Sequence, residues 1–265
     1  MMTQFLHFFK TENNKFEGRI LYPGTECDFL IFLLNTSNFH WRKKPDDITP
    51  EDLQTQTRSF ISKLCAIGYL MQPIKFRKDH RAIIAVNGGN YPEGRNGKSI
   101  FSNVLCEILP SIQLYGSKDM ERSKFAFENV TTETKLIAID NIYENFDLSS
   151  IFSLITGDIV IHRRRKSSLS IPHKRSPKLL LVKDNPFKTS GISYTERMWN
   201  LEFSDYYNKS HKPLDDFKNL FIDEWDEKQW SLLNQLLIDC MQLYSQFGMV
   251  ATSETELEVQ RYSMN

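Results

Sequence analysis

Three continuous apolar runs stand out in a chain that is otherwise periodic or polar: Ala82-Ile83-Ile84-Ala85-Val86, Leu136-Ile137-Ala138-Ile139 and Leu179-Leu180-Leu181-Val182. Short runs that are apolar on both faces predict strands in the middle of a parallel sheet. Around them the spacing turns helical. Ile100, Phe101, Val104, Leu105 and Ile108 share one helical face just after the first run, and a helix is predicted over residues 149–156. After Pro213, apolar faces recur at Phe217, Leu220, Phe221, Trp225, Trp230, Leu233, Leu236, Leu237 and Met241. Upstream, residues 25–72 also read as helical. Phe29, Leu30, Phe32, Leu33 and Leu34 form one face closed by the turn Asn35-Thr36-Ser37-Asn38, and Phe60, Ile61, Leu64, Ile67 and Leu70 form a second. Thr49-Pro50-Glu51-Asp52 starts that second helix with a capping threonine, a proline at the first position and acids in the first turn. The pattern predicts an α/β chain: a helical region over 1–80, a sheet-containing core over 81–208 and a helical region over 209–265.

At 265 residues, with 40% hydrophobic and 25% charged residues, the chain is long enough to bury a large core. The net charge of zero argues against a generally basic nucleic-acid coat but allows a local basic surface. Cys27, Cys65, Cys106 and Cys240 lie far apart in apolar surroundings, as buried free thiols of a reducing compartment do. The histidines form no zinc or catalytic spacing. No apolar stretch approaches the roughly 18 residues of a membrane span, and the short apolar N-terminal run lacks a basic leader and a small-residue cleavage site. The expectation is a cytoplasmic protein with no membrane partner.

Gly94-Arg95-Asn96-Gly97-Lys98-Ser99 follows the first apolar run and precedes a helical pattern, the context of a phosphate-binding loop. Lys98 would reach the β- and γ-phosphates of ATP, and Ser99 would hold Mg²⁺. Pro92 stands where the full loop pattern has its first glycine. Asp140, at the end of the second run, occupies the place of a Walker B acid completing the metal site, since a carboxylate there is expensive to bury without a metal or partner. The next position, where hydrolytic enzymes carry a second acid, is Asn141, and an amide cannot accept a proton. Glu144 would substitute if the loop folds back.

Residues 158–188 hold nine Lys or Arg against two Asp. Ile159-Val160-Ile161 and Leu169-Ser170-Ile171 flank the densest cluster, predicting a hairpin with Arg163, Arg164, Arg165 and Lys166 at its tip. Such a tip suits gripping a phosphate backbone without reading sequence, although a solvated hairpin guarding a sheet edge would look alike. Asp184 and Asn185, ending the third run, lie where a polar γ-phosphate sensor is expected, and Arg197 would serve a neighbouring subunit as an arginine finger.

Together these stretches resemble the superfamily 3 helicase domains of phage, plasmid and mobile-element primase–helicase proteins. The resemblance runs from Asn35-Thr36-Ser37-Asn38-Phe39-His40-Trp41 through the loop, Asp140, the hairpin and its following Pro172, and Ser176-Pro177-Lys178. It ends at Glu202-Phe203-Ser204-Asp205-Tyr206-Tyr207. It implies an AAA+-like P-loop NTPase fold, a homo-oligomeric ring with ATP between subunits, and a central hairpin tracking single-stranded DNA. Two expectations stand for a primase or polymerase: a partner encoded separately from a stand-alone module, or the remainder of a longer primase–helicase of which this chain is a fragment. Departures are Pro92, Asn141, Asp184 or Asn185 at the sensor, and Met198 in place of a second arginine. Two readings stand at this point: an ATP-dependent helicase motor, or a non-hydrolysing nucleotide- and DNA-binding module for replication-complex assembly. An unrelated P-loop small-molecule kinase would have no use for the cationic tip.

Overall fold

The computed structural model describes residues 4–77, 79–88, 94–187, 194 and 196–252. In chain order the elements are β1 (Leu6–Lys10), β2 (Phe16–Ile20), α1 (Asp28–Asn35), α2 (Pro50–Met71), β3 (Ala82–Asn87), α3 (Lys98–Ile108), β4 (Ser111–Tyr115) and α4 (Lys118–Arg122). They continue with β5 (Leu136–Asp140), α5 (Phe152–Thr156), β6 (Ile159–Ile161), β7 (Leu169–Ile171), β8 (Lys178–Val182), β9 (Met198–Phe203), α6 (Pro213–Phe217) and α7 (Glu227–Phe247). Contacts group the described residues into two units that interleave along the sequence. Those within 4–71, 87–97 and 201–252 form the first, and those within 72–86 and 98–200 the second.

The second unit holds most of a five-stranded sheet of order β4-β5-β8-β3-β9. β4 pairs with β5, β5 with β8, and β8 with β3, all parallel, with Ile137 opposite Leu179 and Leu179 opposite Ala82. β9 runs beside β3: Ala82 N–H donates to Arg197 O and Gly88 N–H to Phe203 O, advancing together as in a parallel pair. The three apolar runs are β3, β5 and β8, the inner strands. Their buried residues Ile84, Ile137, Ile139, Leu179 and Leu181 pack with Ile151, Leu154 and Ile155 from the connection before β6. That connection is a 3₁₀ turn (Leu148–Ile151) running into α5, so the helix expected over 149–156 is present in two parts. The result is a P-loop NTPase-like α/β sheet flanked by helices. In such sheets ligands bind beyond the carboxyl ends of the strands.

In the first unit, α2 begins as its sequence predicts. Asp52 N–H donates to Thr49 Oγ1 (3.1 Å), and Thr49 N–H donates back to Asp52 Oδ2 (3.0 Å), a capping box. α2 packs on α7, and Gly68 permits the close approach, since a Cβ there would fall 2.1 Å from Cys240 O. The region expected to be helical opens instead with an antiparallel hairpin, β1–β2, in which Leu6 faces Ile20. Its strands are mostly exposed. They are held from far away in sequence, by the buried Asp239 carboxylate accepting from Phe5 N (2.6 Å) and Leu6 N (3.1 Å). All four cysteines are free and buried. Among the described residues, no helix is long and apolar enough to cross a membrane.

Candidate nucleotide site and cationic hairpin

The carboxyl ends of β5 and β8 and the start of α3 converge in the second unit. Lys98, the first residue of α3, is buried with its side chain 6% exposed, and its Nζ lies 3.2 Å from Asp184 Oδ1, just past β8. Burial lowers the Lys98 amine below its ordinary value, while Asp184 and then Asp140 pull the other way. Asp184 is itself 58% exposed, so its ion pair with Lys98 opens to solvent on one side. An anion approaching there would compete for a lysine already stripped of water, which makes the pairing worth more. Ser99 is exposed in the first turn of α3.

Asn141 turns the chain sharply after β5, at φ +52°, a conformation in which asparagine is enriched among non-glycine residues. Its N–H donates to Asp140 Oδ1 (2.7 Å), and its side-chain amide donates to the Tyr115 hydroxyl at the end of β4. Beyond it the loop does fold back. Ile142 N–H bonds Val182 O (3.0 Å), and Glu144 Oε2 accepts from Lys183 Nζ at 2.7 Å and from Asn185 Nδ2 at 3.4 Å. A carboxylate thus reaches the end of β8, on either side of Asp184 in sequence. Lys183 belongs by sequence to the basic segment 158–188. It is instead buried, 2% exposed, as the counter-ion of Glu144. Lys178 is also buried, and Lys188 lies outside the described residues. Neither lysine's burial carries a signal in local sequence beyond its place at a strand end.

The loop preceding Lys98 belongs to the first unit. Arg95 (φ +75°) and Gly97 (φ +95°) both adopt left-handed conformations around the buried Asn96. Asn96 Nδ2 donates to Asn87 Oδ1 (3.0 Å) and Phe203 O (3.2 Å). At Gly97 a Cβ would lie 2.7 Å from the Phe32 ring, so glycine is required by both conformation and space. Gly94 is half-buried and Arg95 exposed, while Pro92 and Glu93 fall outside the described residues. Nearby in the same unit is a residue that no sequence motif marks. Lys63 is fully buried, donating to Ser37 Oγ (2.8 Å), Ser59 Oγ (3.1 Å), Glu202 O (2.7 Å) and Thr36 O (3.4 Å).

The basic hairpin forms as its alternation predicts. β6 and β7 pair antiparallel with Ile159 opposite Ile171 and Ile161 opposite Leu169. The isoleucines are buried, whereas Val160 and Ser170 face outward. Asp158 Oδ1 closes its base by accepting from His173 N (2.8 Å). At the tip Arg163 Nε bonds Ser167 O (3.1 Å), Arg164 lies 3.9 Å from Glu128 and over the Phe125 ring, and Arg165 and Lys166 are exposed.

Arg197 is not brought to Lys98. It precedes β9 beside Ala82 at the amino end of β3, with its guanidinium 4.9 Å over the Phe152 ring. A sheet strand of five or six residues, about 17–20 Å, separates that level from the carboxyl ends.

No protein-family model matches the chain, and no curated protein matches it. Among solved structures it is similar to the A-form apo structure of the NrS-1 C-terminal region, with TM-score 0.48 and 14% identity over 97% of this chain and 58% of that one. It is also similar to JCV helicase bound to a thiazolopyridine acetamide compound, with TM-score 0.35 and 10% identity over 89% of this chain and 60% of that one. The chain therefore spans about three fifths of the length of each. At such low identity, function has to be read from this chain's own side chains.

Proposed function

We propose that the chain is an ATP-dependent motor domain of helicase type that moves on single-stranded DNA. One observation carries the reading: a single parallel sheet presents a buried lysine and two carboxylates past its strand ends, and a hairpin with exposed cations inserted before β8. Lys98 would bind the β- and γ-phosphates, the role that the sequence pattern ending Gly97-Lys98-Ser99 suggests for it. Ser99 and Asp140 offer the hard oxygen donors that suit Mg²⁺, which supplies charge neutralisation on the phosphates when bound. Asp184 and Asn185 would sense the γ-phosphate, and Glu144 would orient the attacking water and take its proton. Arg197 lies at the amino-end level of the sheet, opposite to Lys98, so a role as a finger would be exerted on the next copy in a ring. Arg163, Arg164, Arg165 and Lys166 would follow the DNA backbone.

A second reading, nucleotide-gated DNA binding without turnover, is favoured by Asn141 alone. The deciding experiment is ATP hydrolysis by the chain with and without single-stranded DNA, beside Lys98→Ala. DNA-stimulated turnover abolished in the variant supports the motor. Tight ATP binding with turnover no higher than in the variant leaves the gated binder.

A further inference from the structure

The hairpin has a second cationic end. Its strand β7 runs through Pro172 directly into the turn His173–Arg175, which carries Lys174 and Arg175. Those two residues line a cavity of about 800 Å³ together with Lys135, Glu133, Thr132, Pro73, Ile74, Ile171 and Pro172. Three cations therefore face one carboxylate around an apolar floor of prolines and isoleucines, with no aromatic ring among the lining residues.

The cations stand on a fixed platform. Lys75 N–H bonds Lys174 O (3.1 Å), and the buried Lys75 Nζ donates to Leu154 O (2.6 Å), Ser176 Oγ (3.3 Å) and Pro177 O (3.3 Å). Lys178 Nζ donates to Gln72 O from beneath the same turn. Burial lowers Lys75 to about 7 and Lys178 to about 8, and each is affected by a neighbouring cation, Lys178 and Lys135 respectively. Asp79 acts on Lys178, and Asp158 is spent on His173 N, leaving Glu133 as the carboxylate on the lining. The three lining cations, Lys135, Lys174 and Arg175, thus meet a single lining carboxylate, an excess of positive charge that favours an anion there, and the bonds of Lys75 hold the turn in place.

We propose that this groove is a second docking site for the sugar–phosphate backbone of the same single strand that the hairpin tip holds. The proposal rests on the motor reading above. Cations at the rim meet phosphates, the apolar floor meets sugars, and the lack of aromatic lining makes the contact independent of base. The groove lies at the amino end of β5, which Lys135 precedes, and beside the turn that leads into β8 at Lys178, whereas Asp140 ends β5 and Asp184 lies just past β8. β8 thus runs from the groove to the γ-phosphate sensor, and changes at one end should leave binding at the other intact.

The test compares wild type, a groove variant (Lys135→Glu, Lys174→Glu, Arg175→Glu) and a tip variant (Arg165→Glu, Lys166→Glu). The readouts are affinity for long and short oligothymidylates across a salt series, and ATP binding. Lys135→Gln with Lys174→Gln and Arg175→Gln repeats the groove test without adding carboxylates beside Glu133, and ATP binding reports that the sheet is folded. In the groove variants, the advantage of the long oligonucleotide should disappear. The slope of log affinity against log salt should become shallower by about 2, three contacts at about 0.7 each. If only the tip variant weakens binding, the groove proposal falls and the motor reading stands. If wild type binds neither oligonucleotide, both fall.

Discussion

Glu144→Gln is the most informative single change, because it separates a carboxylate acting on water from one that only neutralises Lys183. Removing a general base costs about 10²–10⁴-fold in rate while leaving substrate binding in place. The structural cost is a separate quantity. Unpairing a buried cation costs about 3–5 kcal/mol in the limit. Glu144 is 44% exposed, however, and the glutamine carbonyl still accepts from Lys183 Nζ, so about 1–2 kcal/mol is expected. Adding Lys183→Met removes the stranded charge and should bring the melting temperature back to near wild type. Turnover should stay low in that double variant, because nothing has returned a proton acceptor. Asn141→Asp gives the complementary arm. Asparagine there holds φ +52°, which aspartate also tolerates, so the swap places a carboxylate after Asp140 without backbone strain. If Glu144 supplies the base, the swap should change turnover by less than about tenfold. The assay is steady-state ATP turnover with single-stranded DNA, alongside ATP affinity and thermal melting. Recovery of turnover with stability in the Glu144→Gln, Lys183→Met pair would make Glu144 a counter-ion and refute the argument. So would a gain of 10²-fold or more on Asn141→Asp, since the site would then have lacked a base altogether.

Three further outcomes follow from the same geometry. Lys98→Ala removes a charge-assisted contact of about 1.5–3 kcal/mol and should weaken ATP affinity by about 10–150-fold in a titration; unchanged affinity would mean that the loop binds no triphosphate. Gly97→Ala combines a strained φ of +95° with a Cβ 2.7 Å from Phe32, and should destabilise the fold by about 2–5 kcal/mol in denaturant unfolding; a neutral result would show the loop relaxing freely. Burial lowers Lys63 from 10.5 to about 7. Between those values the unfolded chain holds the proton and the folded chain does not, so stability rises with pH above about 7. Lys63→Met should flatten that rise in melting temperature without abolishing it, because Lys75 and Lys178 titrate in the same direction; an unaltered pH profile would place the Lys63 proton elsewhere.

What the sequence made legible divides along a physical line. β3, β5 and β8 were readable because a strand buried on both faces has to be apolar throughout, and Thr49 through Asp52 because a helix start satisfies its own amides locally. The hairpin was readable from three-residue alternation on either side of its charges. The β1–β2 pair was not, because its strands are largely exposed and their anchor, Asp239, sits at the far end of the chain on α7. β9 alternates apolar and polar residues and could have been found by that signal alone, whereas β4 shows mostly half-buried positions with little pattern. At the site, local context located Lys98, Asp140 and Asp184, because a strand end followed by a polar residue is a one-dimensional feature. Charge counting misled at Lys178 and Lys183, which look like members of a solvent-facing basic segment. Placing them requires knowing that β8 is the central strand of β5-β8-β3, where a long side chain at a strand end can be enclosed by the neighbouring elements. The basic segment of this chain therefore sorts by strand position into two kinds of cation. Arg164, Arg165, Lys166, Lys174 and Arg175 are exposed on the hairpin and its foot, whereas Lys178 and Lys183 at either end of β8 are buried and bonded to Gln72 O and Glu144.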